Sequence, residues 1–287
     1  MKINTPLLLA FSVFANYQTN LADTISTEQD TQNTYVTDSS DILYKIKRIK
    51  DLKDSLYFRG IDYQILENTF SNNEFEVIQD KIDISHSNSF ESKVVRKEMT
   101  LEEYMARHDV NLKIARGNKF IAENEKQLML AQERYSVPKE YITAIIGMET
   151  AFLPFKYLGN FTVFNVFASR FIFAKAEKRS IDELVSLFQL AFKTRKNVLS
   201  FKGSYAGAMG YGQFLPSSVN AYFISSKGDS SEIELNSIDD NIHSIANYLK
   251  KNGWTSADAY AALYKYNRSD AYVKSVIYIA EHLKKSE

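Results

Sequence analysis

The chain has 287 residues, of which 45% are hydrophobic and 24% charged, so it can fill one large core or two small lobes of a globular protein. Its 35 basic and 35 acidic residues balance to a formal net charge of zero, which argues against a nucleic-acid-binding surface or an electrostatically held membrane protein. The absence of cysteine excludes disulfides, thiolate metal sites, cysteine nucleophiles and a lipid-modified N-terminal cysteine.

The first 40 residues have the pattern of an export signal followed by a polar leader. Met1 and Lys2 precede an apolar run over residues 6–15, which predicts a signal peptide over residues 1–22 with cleavage after Ala15 or Ala22. Because the run is short for a bilayer-spanning helix, an uncleaved N-terminal anchor is the alternative. Residues 23–40 carry few apolar side chains, so we expect a disordered leader.

Helical spacing of apolar residues dominates the next part of the chain. It predicts a helix over residues 42–60 and a short one from Asp62. Residues 71–98 are weakly patterned and are expected to form a long connection. Thr100 and Glu103 form a capping-box pattern, which predicts a helix toward Gly117 and another over residues 118–135.

Helices also account for most of the second half. Pro138 suits the first turn of a helix that ends near residues 149–152, and Ser180 with Glu183 predicts a second capping box. Pro216 opens a short helix, residues 233–235 suggest a short strand, and Ser237 caps a helix that Gly253 stops. Two further helices are expected over residues 256–265 and 270–284. The predicted class is mainly α, with an N-terminal helical lobe over residues 41–135 and a second lobe over residues 136–287.

One carboxyl group stands at the end of an apolar helical segment. Glu149 follows Ile145, Ile146 and Met148 at the carboxyl end of the predicted helix. Burial and the negative end of the helix dipole both disfavour a carboxylate, so the sequence predicts a raised pKa for Glu149. A carboxyl group that keeps its proton near neutral pH suits a general acid. A solvated or salt-bridged glutamate is the alternative.

A glycine-rich segment at residues 203–212 has the composition of a sugar-binding loop. Its glycines allow close approach of the backbone, and Ser204, Tyr211 and Gln213 offer hydroxyl, aromatic and amide groups. The order G-x-x-G-x-G follows no strand and lies in no βαβ unit, which excludes a dinucleotide loop. The segment does not match the G-x-S-x-G nucleophile elbow either. A tight structural turn is the alternative.

The turn into the last helix carries two further candidates, Tyr266 and Asn267, which could point into a cleft. Packing of the tyrosines and a capping role for Ser269 are the alternative. Trp254 is expected in the core. The four histidines lie far apart without paired spacing, so no metal site is expected.

These segments are parts of a larger pattern. It comprises Val137-Pro138 with Ile145 to Thr150, then Lys202 to Ser218, then Ile245 to Tyr248 with Asn252-Gly253-Trp254, and last Tyr266-Asn267 with Tyr272-Val273. In this order the blocks resemble the lytic murein transglycosylase B family, a branch of the lysozyme-like superfamily. The likeness covers residues 42–284 and implies a lysozyme-like catalytic lobe after the N-terminal helical lobe.

The resemblance also implies a reaction. The family cleaves the MurNAc-β-1,4-GlcNAc bond of peptidoglycan without water and leaves a 1,6-anhydro-muramyl end. Glu149 matches its single acid/base, which protonates the glycosidic oxygen and then takes the proton of the muramyl C6 hydroxyl as that oxygen attacks C1. Ordinary glycosidases usually need two carboxylates, and no partner for Glu149 is evident in the sequence. No cofactor is implied.

The resemblance assigns substrate-binding positions as well. Ser204 and Gln213 would hold the muramyl N-acetyl and ring substituents, and Tyr248, Tyr266 and Asn267 would line the groove. The expected partners are peptidoglycan glycan strands, with cell-wall synthesis or envelope machinery as further candidates and neither nucleic acid nor a lipid anchor. The expected location is the periplasm of a Gram-negative bacterium.

Three features depart from the family pattern. Ala151-Phe152-Leu153 stand where the family usually has Arg or Asn, an aromatic residue and Gly. Its paired arginines are reduced to Lys175, and residues 225–232 lack the alternating carboxylates that calcium requires. No calcium is therefore expected there. Two alternatives stay open: a non-catalytic peptidoglycan-binding or envelope scaffold protein, and a muramidase that hydrolyses the bond.

Overall fold

The computed structural model describes residues 39–78, 100–173, 175–227 and 232–284, and these residues are mainly α-helical, as predicted. Two short strands and two single turns of 3-10 helix accompany the α-helices. The helices are α1 (Ser39–Phe58), α2 (Tyr63–Phe70), α3 (Leu101–Arg107), α4 (Val110–Tyr135), α5 (Lys139–Thr150), α6 (Val163–Ile172), α7 (Glu177–Thr194), α8 (Pro216–Tyr222), α9 (Ile238–Lys251), α10 (Tyr260–Tyr266) and α11 (Asp270–Lys284).

Contacts between Cα atoms divide the chain into two compact units, Met1–Val77 and Ile78–Glu287. In the first, α1 and α2 pack together, and the Asp62 carboxylate caps α2 by accepting the backbone N–H groups of Gln64 and Ile65. The predicted lobe boundary at residues 135 and 136 lies inside the second unit, where α4 packs on α5. That boundary stays a prediction.

The core of the second unit surrounds α5. Helices α4, α9 and α11 all pack against it, and residues 142–147 of α5 are buried without interruption. Gly117 lets α4 and α11 come close, because a Cβ atom at this position would lie 2.9 Å from Leu283 Cδ2. The helix that ends in Glu149 is therefore held on several sides.

A second layer of this unit positions the glycine-rich segment. Helix α6 packs on α7, and α7 packs on α8. Ahead of the loop, strand β1 (Phe161–Thr162) pairs antiparallel with strand β2 (Lys202–Gly203), with Phe161 opposite Gly203. The loop consequently leaves the end of a fixed two-stranded ladder.

Helix boundaries near residue 110 differ from the prediction. The Thr100–Glu103 capping box is confirmed by reciprocal side-chain to backbone bonds of 3.2 and 2.8 Å. The helix that it starts ends at Arg107 rather than near Gly117, because Asp109 has a φ of +47°. Helix α4 then runs through Gly117, where the sequence suggested a break.

The second predicted capping box is wrong. Helix α7 begins at Glu177, after Ala176 in the left-handed region, so Ser180 and Glu183 lie inside it and are buried. The Glu183 carboxylate instead accepts the backbone N–H and the Oγ–H of Ser217, at 2.9 and 2.8 Å, in the first turn of α8. It caps a neighbouring helix, which only the tertiary fold could reveal.

Residues 233–235 do not form the predicted strand. Asp240 on α9 accepts the backbone N–H of Glu234 at 2.8 Å, and Asn241, also on α9, donates to the carbonyl of Leu235 at 2.9 Å. Side chains thus take the backbone groups that a strand would use. Trp254 is buried as expected, with its ring edge-on to Tyr141 at 4.7 Å.

The predicted signal peptide lies outside the described residues, as does the leader apart from Ser39 and Ser40, which begin α1. Among the helices that are described, none combines the length and apolar character needed to cross a bilayer.

Candidate active site

Glu149 stands in the last turn of α5, partly exposed, and the hydroxyl of Tyr272 on α11 donates a 2.7 Å hydrogen bond to its Oε1. Tyr272 itself is only 3% exposed, so the position of its hydroxyl is set by packing. The contact joins residues 123 positions apart. It is the packing of α11 on α5 that brings them together.

The acidity of Glu149 follows from two opposed effects. Burial raises its pKa from 4.5 to about 7, and the hydrogen bond from Tyr272 lowers it in part. Within the described residues, no second carboxyl group contributes to this shift. The raised pKa agrees with the sequence prediction, and it leaves both protonation states populated near neutral pH.

Three tyrosines lie close enough to this carboxyl group for its charge to affect them. Burial raises the pKa of Tyr104, Tyr266 and Tyr272, and the negative charge of Glu149 adds to the rise in each case. All three phenols therefore keep their protons and can donate hydrogen bonds. Tyr104, on α3, was missed by the sequence reasoning, because nothing local marks a tyrosine that a separate helix carries to the site.

The loop that carries Ser204 and Gln213 is closed by its own backbone. Ser204 donates its N–H to the carbonyl of Ala208 at 2.8 Å, and its Oγ accepts the Ala208 N–H at 3.2 Å. Gln213 has a φ of +49° and donates both its N–H and its Nε2–H to the carbonyl of Gly210. The side-chain oxygen of Gln213 and the second N–H of its amide are the groups left to offer a ligand.

Tyr266 links this loop to the carboxyl site. Its hydroxyl donates to the carbonyl of Gly212 at 2.6 Å, while its pKa responds to the charge of Glu149. Tyr248 packs its ring against that of Tyr266, with 4.7 Å between centroids, and donates its hydroxyl to the carbonyl of Lys265 at 2.7 Å. Both hydroxyls are thus used to hold backbone. Asn267 follows α10 and is exposed.

The segment after Glu149 folds back on α5. Ala151 and Phe152 both adopt left-handed backbone, with φ of +51° and +58°. This turn lays the Phe152 ring over Gly147, where a Cβ atom would come within 2.8 Å of the ring. Arg116 on α4 donates to the carbonyl of Ala151 at 2.9 Å. The departure from the family pattern is therefore a defined turn.

Arg170 contacts the glycine-rich loop, and Arg179 interacts electrostatically with Arg170. Arg170 at the end of α6 donates to the carbonyl of Ala206 at 3.3 Å. Burial lowers the pKa of Arg170, and the charge of Arg179 lowers it further, which places the two cations near each other. The sequence reasoning pointed to Lys175 in this region and overlooked this pair, because they belong to different helices.

No group of three or more potential metal ligands occurs within the described ranges. Residues 228–231 fall outside them, so the expectation of no calcium over residues 225–232 stays a prediction.

Known proteins resemble the chain in sequence and in fold. A family model described as "Transglycosylase SLT domain" matches residues 46–262. Membrane-bound lytic murein transglycosylase B of Escherichia coli K12 is 35% identical over 151 residues, which are 52% of this chain and 41% of that protein. The matched stretch is therefore less than half of the curated relative.

Solved structures share the fold over most of the chain. Soluble lytic transglycosylase SltB1 of Pseudomonas aeruginosa superposes with a TM-score of 0.72 at 22% identity, over 84% of this chain and 99% of that one. Escherichia coli Slt35 in complex with bulgecin A gives 0.71 at 21%, over 83% and 93%. Pseudomonas aeruginosa SltB3 in complex with NAG-anhNAM-pentapeptide gives 0.71 at 19%, over 84% and 79%. These likenesses confirm the predicted fold class.

Proposed function

The chain belongs to the transglycosylase SLT domain family, and from this premise we propose that it is a lytic murein transglycosylase. It cleaves the MurNAc-β-1,4-GlcNAc bond of peptidoglycan and leaves a 1,6-anhydro-muramyl end. The observation that carries the proposal is Glu149, a carboxyl group with a pKa of about 7 and one tyrosine donor. Acid and base forms of one residue are both available at neutral pH, as the reaction needs.

In the first step, protonated Glu149 transfers its proton to the glycosidic oxygen as the bond from that oxygen to muramyl C1 breaks. The resulting carboxylate then accepts the proton of the C6 hydroxyl while O6 bonds to C1. The proton count on Glu149 is restored, and no water enters. The C6 hydroxyl belongs to the same sugar, so its effective concentration at C1 is high. Tyr272 stabilises the carboxylate between the two transfers by its hydrogen bond.

We assign substrate contacts to Ser204, Gln213, Tyr266, Asn267 and, behind Tyr266, to Tyr248. The loop with Ser204 and Gln213 is joined to the carboxyl site through Tyr266. SltB3, a protein with the same fold, binds NAG-anhNAM-pentapeptide in a crystal structure, which supports a glycan-strand ligand. A place of action in the cell envelope follows from such a substrate, and the periplasm is the compartment we propose.

Digestion of purified murein sacculi tests this function, with mass spectrometry of the soluble products. The wild-type protein should release anhydro-muropeptides, and Glu149→Gln should release at least about 10²-fold less, because glutamine cannot transfer a proton. Glu140→Gln is the matched control: it makes the same change at a buried residue of α5 and should leave the products unchanged.

The outcomes separate the alternatives. Undiminished anhydro products from Glu149→Gln would show that another residue is the acid/base. Reducing muramyl ends from the wild-type protein would identify a hydrolytic muramidase. Binding to sacculi without any soluble product would identify a non-catalytic wall-binding protein.

A further inference from the structure

Side chains from two other helices bind the backbone of Gly212, one at its N–H and one at its carbonyl. Its N–H donates to Oδ1 of Asn241 on α9 at 3.0 Å, and its carbonyl accepts the Tyr266 hydroxyl at 2.6 Å. Gln213, the residue we assign to the glycan, comes next in the chain. Side chains that hold the backbone of Gly212 in place therefore also restrict the position of the Gln213 Cα atom.

Asn241 is fully buried, and both the oxygen and the nitrogen of its side-chain amide form hydrogen bonds. Besides accepting from Gly212, it donates from Nδ2 to the carbonyls of Leu235 and Ser237, at 2.9 and 2.7 Å. Moving a buried amide that has formed all these bonds costs free energy, because any shift leaves a buried polar group without a hydrogen bond. Asn241 thus ties the glycine-rich loop to α9 and to the segment that precedes it.

The loop is shaped around this amide. Gly210 has a φ of +72°, and a Cβ atom there would lie 2.7 Å from Asn241 Oδ1 and 2.8 Å from the carbonyl of Leu235. Gln213 adopts a left-handed conformation that non-glycine residues rarely take, so its surroundings must impose it. The close approach of Asn241 to Gly210 and its bond to Gly212 supply that constraint on both sides of Tyr211.

We propose that Asn241 is a positioning residue for the glycan site. Through its bond to the Gly212 backbone, it holds Gln213 in the conformation that binds the substrate. The inference rests on the proposed function, because it concerns the same loop. Asn241 is fully buried, so it would act through the loop and not by contact with the substrate. Its loss should act by way of Gln213, which a general loss of stability would not do.

Steady-state kinetics on soluble glycan fragments of murein test the idea, with Asn247→Ala as the matched control. Asn247 is another buried asparagine of α9, but it donates to the carbonyl of Tyr222 at 2.7 Å, away from the loop. We expect Asn241→Ala to lower kcat/KM by about tenfold, mostly through KM. Asn247→Ala should lower thermal stability with little change in kcat/KM.

A double-mutant cycle with Gln213→Ala decides whether the effect passes through Gln213. If it does, the double variant Asn241→Ala with Gln213→Ala should be no slower than Gln213→Ala alone. Multiplication of the two single effects would overturn the proposal. So would equal losses of kcat/KM in Asn241→Ala and Asn247→Ala.

Amide hydrogen exchange tests the same claim without any activity. Residues 212–214 should exchange faster in Asn241→Ala than in the wild-type protein, and should be unaffected in Asn247→Ala; unchanged exchange in Asn241→Ala would overturn the proposal. A wild-type protein that makes no anhydro product would defeat the proposed function alone, and exchange would still decide the positioning. If Asn241→Ala does not fold, Asn241→Leu, which has a similar volume but no acceptor for the Gly212 N–H, carries both measurements with the same expected outcomes.

Discussion

At the scale of single residues, the proposed chemistry depends on the size and the causes of the pKa shift at Glu149. Burial alone would raise the pKa of this carboxyl group further and leave less carboxylate at neutral pH to accept a proton. The Tyr272 hydroxyl stabilises the carboxylate and so restrains the rise in pKa to about 7. A carboxyl group with this pKa can both donate and accept a proton near neutral pH, as the proposed reaction requires.

Replacement of Tyr272 by phenylalanine should shift the pH profile. The hydroxyl lowers the pKa of Glu149, so its removal raises that pKa above about 7. Because the first step needs the protonated acid, the alkaline limb of kcat/KM should move to higher pH. A kcat/KM profile over the neutral and alkaline range measures the shift.

The matched control is Tyr260→Phe, which removes a tyrosine hydroxyl that donates to the Asp270 carboxylate at 2.5 Å, away from Glu149. Its profile should follow that of the wild-type protein. An alkaline limb that stays in place or moves to lower pH in Tyr272→Phe would refute the role assigned to this hydroxyl.

The sequence predicted Glu149 as the candidate acid/base but could not predict the hydrogen-bond partner of its carboxyl group. An apolar helical segment that ends in one acidic residue is visible locally, and its consequence for the pKa follows from burial. Tyr272 lies in a block that matches the family, yet its bond to Glu149 depends on how α11 packs on α5. Tyr104 and Arg170 were missed for the same reason.

At the scale of elements, the end of α5 shows how an unusual segment is accommodated. The two left-handed residues Ala151 and Phe152 reverse the chain, and the Phe152 ring covers the helix at Gly147 and lies 5.3 Å from the Phe120 ring. The absence of a side chain at Gly147 is what leaves room for this ring. Glu149 stands between the glycine and the turn, so its support depends on both.

Gly147→Ala should therefore destabilise the protein by about 1–3 kcal/mol, because the new Cβ atom would meet the Phe152 ring. Chemical denaturation measures the change. Phe152→Ala removes the ring, so the double variant should lose less stability than the sum of the two single losses. Strict additivity would mean that alanine at residue 147 acts elsewhere.

Helix and strand boundaries could be predicted where nearby residues determine them. The predictions were wrong where contacts between distant elements determine them. Thr100 and Glu103 satisfy each other, so their capping box could be recognised. Ser180 and Glu183 have the same spacing, but Glu183 caps α8 from inside α7, an outcome that depends on the packing of two helices. Residues 233–235 failed as a strand because Asp240 and Asn241 hold their backbone groups.

At the scale of the whole molecule, all of the proposed site residues belong to the second compact unit, Ile78–Glu287. Glu149 ends a helix packed by α4, α9 and α11, and Gln213 is tied to α9 through Asn241. The site is thus set by the core of that unit. The free-energy cost of burying the ionised Glu149 carboxyl group should consequently lower the stability of the folded protein.

The pH dependence of stability should show this cost. The folded state raises the pKa of Glu149 from 4.5 to about 7, so between these values it holds a proton that the unfolded chain has released. Stability from this group is present below pH 4.5 and is lost as the pH rises toward 7, by roughly 3 kcal/mol at most. Glu149→Gln removes the titration, so the variant should gain stability relative to the wild-type protein between pH 5 and pH 8.

The comparison between variant and wild type isolates this one group. Burial lowers the pKa of His243, whose Nε2 lies 3.1 Å from Gln127 Oε1, so both proteins lose stability as the pH falls through its range. That contribution cancels in the difference between their unfolding free energies, measured by urea denaturation at pH 5 and pH 8. Tyr272→Phe should steepen the wild-type dependence, because it raises the pKa of Glu149 further. A difference that is equal at both pH values would mean that Glu149 is not held protonated by the fold, and the general-acid role would lose its physical basis.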